Sequence, residues 1–426
     1  MSATKRTIGP ELILSSIAAE QPAIEQLLID LVAAPTVLGQ EQSGQEVMRG
    51  AFAALGLKPR QVPLDAPAIR AHSGAAPFSW DVSGKSNVVC GWGPAQARGG
   101  RSLILNGHID VVSAGPLDMW SSPPFVARRD GEWLYGRGAG DMKAGLAAVV
   151  GAVRGLRRLG LEPLAPIELQ SVVEEECTGN GAVQCLLDGR PADAVIVTEP
   201  TSLAIWNSQV GVLWFQVMVR GRPAHAGSAP AGRNAIEASL RLIGALRALE
   251  TTLNEDPPAP YDGYEHPISL NIGIIRGGDW PSTVAAECTM HCRLAHYPDS
   301  PVEALRTQVE ETIAGAAAEL DGFEVSVIYD GFACDGYTLD QESPLVVELG
   351  AACEEVTGSR PELYASTATT DARTFQIYGG SPAVCFGPHA EAVHAIDERV
   401  LLPSMLQTAQ ALALFIQDWC GLTPAD

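Results

Sequence analysis

Residues 166–181 read PIELQSVVEEECTGNG, an apolar run that ends in three glutamates and a turn containing glycine. Similar apolar runs occur in SNVVCGW (86–92), SLILNGHID (102–110) and DAVIVTEP (193–200), and residues 143–158 have a helical pattern. Apolar strands that alternate with helices are typical of a mostly parallel sheet covered on both faces. The predicted fold class is therefore α/β, and ligands of such sheets gather at the carboxyl ends of the strands.

The pattern changes near residue 211, where strands with alternating apolar residues and two helical segments predict the order β-α-β-β-α-β over 211–328. This order is the ferredoxin-like split unit, an α+β arrangement. Before the change, residues 12–33 predict one amphipathic helix, and after it the alternation of strands and helices resumes. We therefore expect a catalytic α/β domain formed by residues 1–210 and 329–426, with an inserted domain at 211–328.

Composition excludes several classes of protein. A chain of 426 residues with 46% apolar and 18% charged residues fits a globular protein of two domains. Nine scattered cysteines argue against a disulfide framework, and the spacing of Cys288 and Cys292 suits a strand better than a zinc knuckle. The net charge of −22 disfavours nucleic acid and anionic membranes as partners. We find no apolar run of about 20 residues and no leader pattern, so we expect a cytoplasmic protein.

Histidines and acids follow several of the strand-like runs, where the predicted sheet would present them at one edge. Each one alone has an ordinary explanation: a glutamate triplet is usually a solvated surface, and a histidine near an aspartate is common by chance. Together, two His, one Asp and two Glu are nitrogen and oxygen ligands that suit a pair of Zn²⁺, Mn²⁺ or Co²⁺ ions. The candidates from which such a ligand set could come are His108, Asp110, Asp141, Glu174, Glu175, Glu176, Glu199, His389 and His394.

The order of motifs is similar to that of a known family. The blocks NGHIDVV, LYGRGAGDMKAG, VVEEECTGNGA, VTEPT, GRPAHAG, STVAAECTMHCRL, TTDARTF and GPHAEAVHAIDERV resemble the acetylornithine deacetylase/succinyl-diaminopimelate desuccinylase family of dinuclear metallohydrolases, which also includes carboxypeptidases and aminoacylases. The resemblance spans about residues 100 to 415. It implies that the inserted domain is a lid and dimerisation domain, so a homodimer is expected.

The resemblance also implies the metal ligands. Asp141 would bridge two divalent ions, His108 and Glu199 would complete the site of one ion, and Glu176 with His394 would complete the other. Asp110 would accept the second ring N–H of His108 and so fix its orientation. Glu175 would be the general base that takes a proton from the activated water.

Three further residues are implied at the substrate. His225 in GRPAHAG matches the lid histidine that reaches the active site of the partner subunit and stabilises an oxyanion. Arg293 matches a lid arginine that holds a substrate carboxylate. His389 lies after a Gly-Pro pair, where it would either narrow and polarise the substrate pocket or be a neutral loop histidine.

The resemblance implies hydrolysis of a C–N bond in a small, carboxylate-bearing molecule, foremost the amide of an N-acyl amino acid. Dipeptidase or carboxypeptidase action would use the same residues, as would hydrolytic deamination of an amino-aromatic acid of the nitroanthranilate type. A non-catalytic binding relative is the alternative from another class. Such a relative would be expected to lose ligands or the base, and all six residues are present.

Overall fold

The computed structural model describes residues 8–425. Its α-helices, in chain order, are α1 (Pro10–Ala19), α2 (Gln21–Ala33), α3 (Gln42–Ala54), α4 (Ala66–Arg70), α5 (Ala144–Arg158), α6 (Asn180–Asp188), α7 (Ala235–Leu253), α8 (Val302–Ala317), α9 (Pro344–Thr357) and α10 (Leu402–Cys420).

Two large sheets and two small ones contain the strands. These are β1 (Arg60–Pro63), β2 (Ser86–Trp92), β3 (Leu103–His108), β4 (Arg128–Asp130), β5 (Trp133–Tyr135), β6 (Leu161–Pro163), β7 (Ile167–Val172), β8 (Val195–Val197), β9 (Ile205–Gln209), β10 (Gly211–Arg220), β11 (Leu270–Gly277), β12 (Glu287–His296), β13 (Glu324–Ile328), β14 (Ala333–Cys334), β15 (Tyr337–Thr338), β16 (Leu363–Ser366), β17 (Ala383–Cys385), β18 (Ala390–Glu391), β19 (Arg399–Leu401) and β20 (Leu422–Pro424).

The larger sheet has the strand order β1-β2-β7-β3-β8-β17-β9-β15, with β16 paired to β9. Its central strands β7, β3, β8 and β17 are parallel, as the apolar runs predict, whereas β1, β2 and β15 add antiparallel strands at the edges. The sheet is therefore mixed, because an apolar run indicates burial but not strand direction. Leu105 and Ile196 pack into one apolar core while Ile104 and Val197 pack into another, so both faces are covered.

The N-terminal helical region differs from the sequence prediction. The single helix expected over residues 12–33 is two helices, α1 and α2, which meet at Glu20. Pro22 has no N–H to donate to the carbonyl of Ala18, so one helix cannot continue through this point. Both helices pack against α5, which also packs against α10. Among residues 8–425, no helix has the length and the apolar character that spanning a membrane requires.

The second large sheet belongs to the inserted domain. Its order is β11-β12-β10-β13 with all neighbours antiparallel, and helices α7 and α8 pack on it, which confirms the ferredoxin-like arrangement. Cys288 and Cys292 both lie on β12, as their spacing predicts. The short strand β14 also pairs with β10, so this sheet extends as far as Cys334. An apolar core separate from those of the larger sheet fills the domain.

Candidate metal centre

The carboxyl ends of three neighbouring parallel strands, β7, β3 and β8, meet at one edge of the larger sheet. Polar residues directly follow these ends, so the backbone brings them together without long loops. Asp141 joins them from the turn that leads into α5, and His394 joins them from the loop between β18 and β19. The structure thus brings together all the predicted ligands, His108, Asp141, Glu176, Glu199 and His394.

Asp141 lies between the two histidines. His108 Nε2 is 3.0 Å from Asp141 Oδ1, and His394 Nε2 is 3.2 Å from Asp141 Oδ2. His394 Nε2 is also 3.0 Å from Glu176 Oε2, and His108 Nε2 is 3.9 Å from Glu199 Oε2. Each carboxylate oxygen of Asp141 therefore faces a different histidine, which is the arrangement needed of a carboxylate that bridges two ions.

The charge balance of the cluster fits bound cations. Glu175 Oε1 and Glu199 Oε1 are buried and have no hydrogen-bond partner within residues 8–425. Burial raises the pKa of both carboxyls well above the usual range, and the charges of neighbouring acids raise it further. Burial opposes protonation of His108, but its bond to Asp141 and the nearby glutamates outweigh burial and raise the pKa of the imidazole. The four carboxylates of Asp141, Glu175, Glu176 and Glu199 thus outnumber the two histidines, so the cluster has an excess of acidic groups.

Potential ligand atoms approach within 4.8 Å of one another in two overlapping groups, one formed by His108, Glu175 and Glu199 and the other by His108, Asp141 and Glu176. Imidazole and carboxylate are the donors that Zn²⁺ and related divalent ions bind in proteins. Two such ions would supply the missing positive charge to the unpartnered carboxylate oxygens. The residues present therefore fit a pair of divalent ions.

Asp110 contacts the His108 ring through its backbone oxygen rather than through its carboxylate. His108 Nδ1 lies 2.9 Å from the backbone oxygen of Asp110, but 3.9 Å from its carboxylate oxygen. The carboxylate instead accepts the backbone N–H groups of Glu175, at 3.3 Å, and Glu176, at 3.0 Å. The predicted bond between the His108 ring and Asp110 is thus present, with the backbone oxygen as acceptor, because the side chain of Asp110 turns toward the amides of Glu175 and Glu176. Asp110 orients His108 through its backbone and the two glutamates through its side chain.

Glu174, the first residue of the triplet, is fully buried rather than solvated. Its Oε1 accepts bonds from Lys85 Nζ at 2.5 Å and from Trp80 Nε1 at 2.8 Å, and its Oε2 accepts one from Thr178 Oγ1 at 3.1 Å. Lys85 also donates to Glu41 at 2.8 Å. Glu174 has a φ of 68°, a left-handed conformation that is uncommon outside glycine. This residue therefore anchors the turn that carries Glu175 and Glu176.

A cavity of about 470 Å³ adjoins the cluster and lies between the larger sheet and the inserted domain. Glu175, Glu176 and His394 line it on the side of the cluster, and Trp214 and Arg293 line it on the other side. Arg293 lies opposite Trp214 in the register of β12 and β10, and within residues 8–425 its guanidinium pairs with no acid. Burial lowers the pKa of Arg293, yet the group remains a cation at neutral pH. The cavity therefore joins the cluster to a positive charge.

The two remaining histidines named from the sequence lie away from this cluster. His225 is exposed on the inserted domain, and its Nδ1 accepts the backbone N–H of Gly227 at 3.0 Å. The neutral ring consequently carries its hydrogen on Nε2, as a donor. His389 contacts Ser202 at 2.8 Å and packs edge-on against Trp133. It is not among the residues that line the cavity, so the structure favours the loop histidine over the pocket residue.

Three functional candidates were missed by sequence reasoning. Glu398 accepts the backbone N–H groups of Gly138, Gly140 and Asp141 at 2.9 to 3.1 Å, so it holds the turn that presents Asp141. Asp371 is fully buried beside the cluster, and burial raises its pKa to about 6. Arg373 donates to the carbonyl of Thr178, two residues after the three consecutive glutamates. All three lie in blocks that carry the family resemblance, but no spacing rule gives their roles.

Comparisons with known proteins agree with this geometry. The model of the peptidase family M20/M25/M40 matches residues 104–418. The chain is 30% identical over 371 residues to an N-formyl-4-amino-5-aminomethyl-2-methylpyrimidine deformylase of Halalkalibacterium halodurans, covering 81% of this chain and 86% of that protein. It is also 30% identical over 355 residues to a succinyl-diaminopimelate desuccinylase of Paracoccus denitrificans, covering 79% of this chain and 88% of the relative.

Solved structures extend the likeness to the whole fold. The di-peptidase Dug1p of Saccharomyces cerevisiae superposes with a TM-score of 0.81 over 99% of both chains at 14% identity, which shows a common fold. The family resemblance seen in the sequence motifs is confirmed by the family model and by the desuccinylase relative. With its family model matched over most of its length and its ligand set assembled at one sheet edge, this chain belongs to the peptidase family M20/M25/M40.

Proposed function

We propose that this chain is a metal-dependent hydrolase that removes an acyl group from the nitrogen of a small, carboxylate-bearing amino compound. The observation that carries the proposal is the cluster of histidines and carboxylates with unpartnered oxygens, which opens on a cavity with a cation on its far wall. Two relatives with 30% identity are named as a deformylase and a desuccinylase, and both names describe removal of an acyl group.

The ligand assignment is the one that the family resemblance implies, and the distances within the cluster are compatible with it. Asp141 would be shared by two divalent ions, with His108 and Glu199 holding one ion and Glu176 and His394 holding the other. When bound, a pair of Zn²⁺, Mn²⁺ or Co²⁺ ions supplies Lewis acidity and activates a water molecule near neutral pH.

Glu175 is the general base in this proposal. It is not needed as a ligand of either ion, it lines the cavity, and one of its oxygens has no partner within residues 8–425. Its carboxylate takes a proton from water as the oxygen attacks the acyl carbon. It then returns a proton to the leaving nitrogen, so that the amide and water become a carboxylic acid and an amine.

Arg293 binds the carboxylate of the substrate. It is the cation of the cavity wall opposite Glu175, and a guanidinium holds a carboxylate through two parallel hydrogen bonds. The distance between Glu175 and Arg293 would then favour substrates in which the carboxylate belongs to the amine part of the amide.

The inserted domain, residues 211–328, is proposed to form a homodimer. Its edge strand β11 exposes Ile275 at 49%, and the neighbouring segment exposes Trp280 at 68%. An unpaired edge strand with exposed apolar residues is suited to pair with a second copy. His225 would then donate from Nε2 to the oxyanion in the partner subunit's site. Nine free cysteines favour a reducing, cytoplasmic location.

A screen of substrates tests the function. Protein reconstituted separately with Zn²⁺, Mn²⁺ and Co²⁺ is assayed with N-formyl and other N-acyl amino compounds, dipeptides and amino-aromatic acids, while ammonia, free amine and carboxylic acid are measured separately. We expect amine and carboxylic acid in equal amounts from N-acyl compounds. If amino-aromatic acids release ammonia and leave a phenol, the function is deamination and not deacylation. If only dipeptides are hydrolysed, the function is that of a peptidase.

The metal content of the same samples tests the proposed centre. We expect two divalent ions per chain after reconstitution and removal of excess metal. Fewer than one ion per chain would contradict the dinuclear arrangement, whatever the substrate.

A further inference from the structure

A segment between α4 and β2 lies against the acidic turn. We call Gly74–Lys85 the bridging segment and Glu174–Gly179 the acidic turn. Trp80 Nε1 donates to Glu174 at 2.8 Å, and Lys85 Nζ donates to the same oxygen at 2.5 Å. Just beyond the turn, the side chain of Asn180 exchanges two hydrogen bonds, both of 3.0 Å, with the backbone of Ala76. The bridging segment therefore holds both ends of the acidic turn.

The same segment also contacts the chain where it returns from the inserted domain. Ser79 Oγ donates to Asp330 Oδ2 at 2.6 Å, and the backbone N–H of Gly331 donates to the carbonyl of Pro77 at 2.8 Å. Asp330 and its near neighbour Phe332 line the cavity on the side of Arg293. Of two adjacent residues, Ser79 thus contacts Asp330 in the wall of the cavity, and Trp80 contacts Glu174, which precedes Glu175 in the other wall.

We propose that Ser79 and Trp80 are positioning residues that set the distance between the base and the substrate-binding wall. Neither residue lines the cavity, so they act through Asp330 and Glu174. Consecutive Cα atoms are about 3.8 Å apart and the peptide between them is planar, so a shift of one wall is transmitted to the other. A misplacement of about 1 Å in an active site lowers turnover by as much as about 10²-fold. This inference rests on the proposed hydrolase function.

The kinetic test uses full-length, metal-reconstituted protein with the best substrate of the screen. Ser79→Ala removes the hydroxyl donor, and Trp80→Phe removes the indole N–H while keeping one aromatic ring. We expect kcat/KM to fall about 5- to 20-fold in each variant with two ions still bound, and the double variant to fall by less than the product of the two losses. Ser79→Thr, which keeps the hydroxyl, should return to within about twofold of wild type.

Matched controls exist elsewhere in the chain. Ser83→Ala removes a serine–aspartate bond of the same 2.6 Å length, to Asp81 within the bridging segment, which does not reach either wall. Trp419→Phe removes an indole N–H that donates to the Ser102 carbonyl at 3.0 Å. Both controls should keep kcat/KM within about twofold. Equal losses in controls and test variants, or no loss in either test variant, would overturn the proposal.

Hydrogen exchange separates this inference from the function on which it rests, because it needs no substrate. In Ser79→Ala, which contacts only the Asp330 side, amides of the acidic turn should exchange about threefold faster or more, whereas Ser83→Ala should leave them unchanged. Faster exchange confined to residues near 79 and 330 would disprove the coupling even in an active enzyme. If amides of the acidic turn exchange faster but the protein hydrolyses no substrate, the coupling is supported and the proposed function is wrong.

Discussion

Three consecutive glutamates have three different environments in this protein. Glu174 is buried against Lys85 and Trp80, Glu175 faces the cavity with an unpartnered oxygen, and Glu176 contacts His394. The left-handed backbone of Glu174 and the Asp110 carboxylate, which accepts the next two amides, give the three side chains their separate directions. Neighbours in sequence thus have distinct surroundings, because the turn, and not the composition, determines what each one contacts.

Glu175→Gln and Glu176→Gln should separate the base from a ligand. Glu175→Gln should keep two ions per chain and lower kcat about 10²- to 10⁴-fold, since it removes only the group that moves the proton. Glu176→Gln should raise the Kd of an ion at least about tenfold, since it removes a charged ligand. Metal titration with a chromophoric chelator and steady-state kinetics measure the two quantities. A Glu175→Gln enzyme within tenfold of wild-type kcat would show that this base assignment is wrong.

At the scale of elements, the sequence predicted which strand ends carry the candidate functional residues, but not every contact that positions those residues. Apolar runs ending in acids or histidines located the edge where β3, β7 and β8 meet, and periodicity predicted the β-α-β-β-α-β insertion. The break between α1 and α2 and the antiparallel edges of the larger sheet were missed, because a local pattern carries little information on direction or continuity. The partners of Asp110, Glu398 and Arg373 depend on contacts between residues distant in sequence, which one sequence cannot reveal.

The ion-pair network of the acidic turn should be important for stability. Lys85 is 8% exposed and bonds both Glu41, at the start of α3, and Glu174, so removing it leaves two buried carboxylates without a cation. We expect Lys85→Met to lower the free energy of unfolding by about 3–5 kcal/mol. Denaturant titration followed by circular dichroism measures the loss. The exposed Lys58 is the control, and Lys58→Met should change it by less than about 0.5 kcal/mol.

A loss of under 1 kcal/mol in Lys85→Met would mean that Glu174 is buried for another reason. The hydrogen bonds from Trp80 and Thr178 would then be enough to hold the carboxylate.

At the scale of the whole molecule, the cavity belongs to two domains at once. The cluster and the base lie at the edge of the larger sheet, while Arg293 lies on the sheet of the inserted domain. One chain thus contains the proposed metal ligands, the proposed base and the cation proposed to bind the substrate. His225 is exposed on the inserted domain, and its Nδ1 accepts the backbone N–H of Gly227 rather than contacting the cluster. The role proposed for His225 would therefore need a second copy of the chain.

Mixing two inactive variants tests whether the site is shared between subunits. His225→Ala and Glu175→Gln chains, co-expressed with different affinity tags, form mixed dimers in which one of the two sites has both residues intact. The unfractionated mixture should recover about a quarter of wild-type activity, because about half of its dimers are mixed and each has one complete site. Light scattering should give a mass twice the 44.8 kDa of one chain, and Ile275→Lys on the exposed edge strand should reduce it to one chain and abolish the recovery. Leu117→Lys, a change at a still more exposed apolar residue outside the inserted domain, is the control and should stay dimeric. Mixed dimers no more active than either parent would place the action of His225 within its own chain or remove it from catalysis.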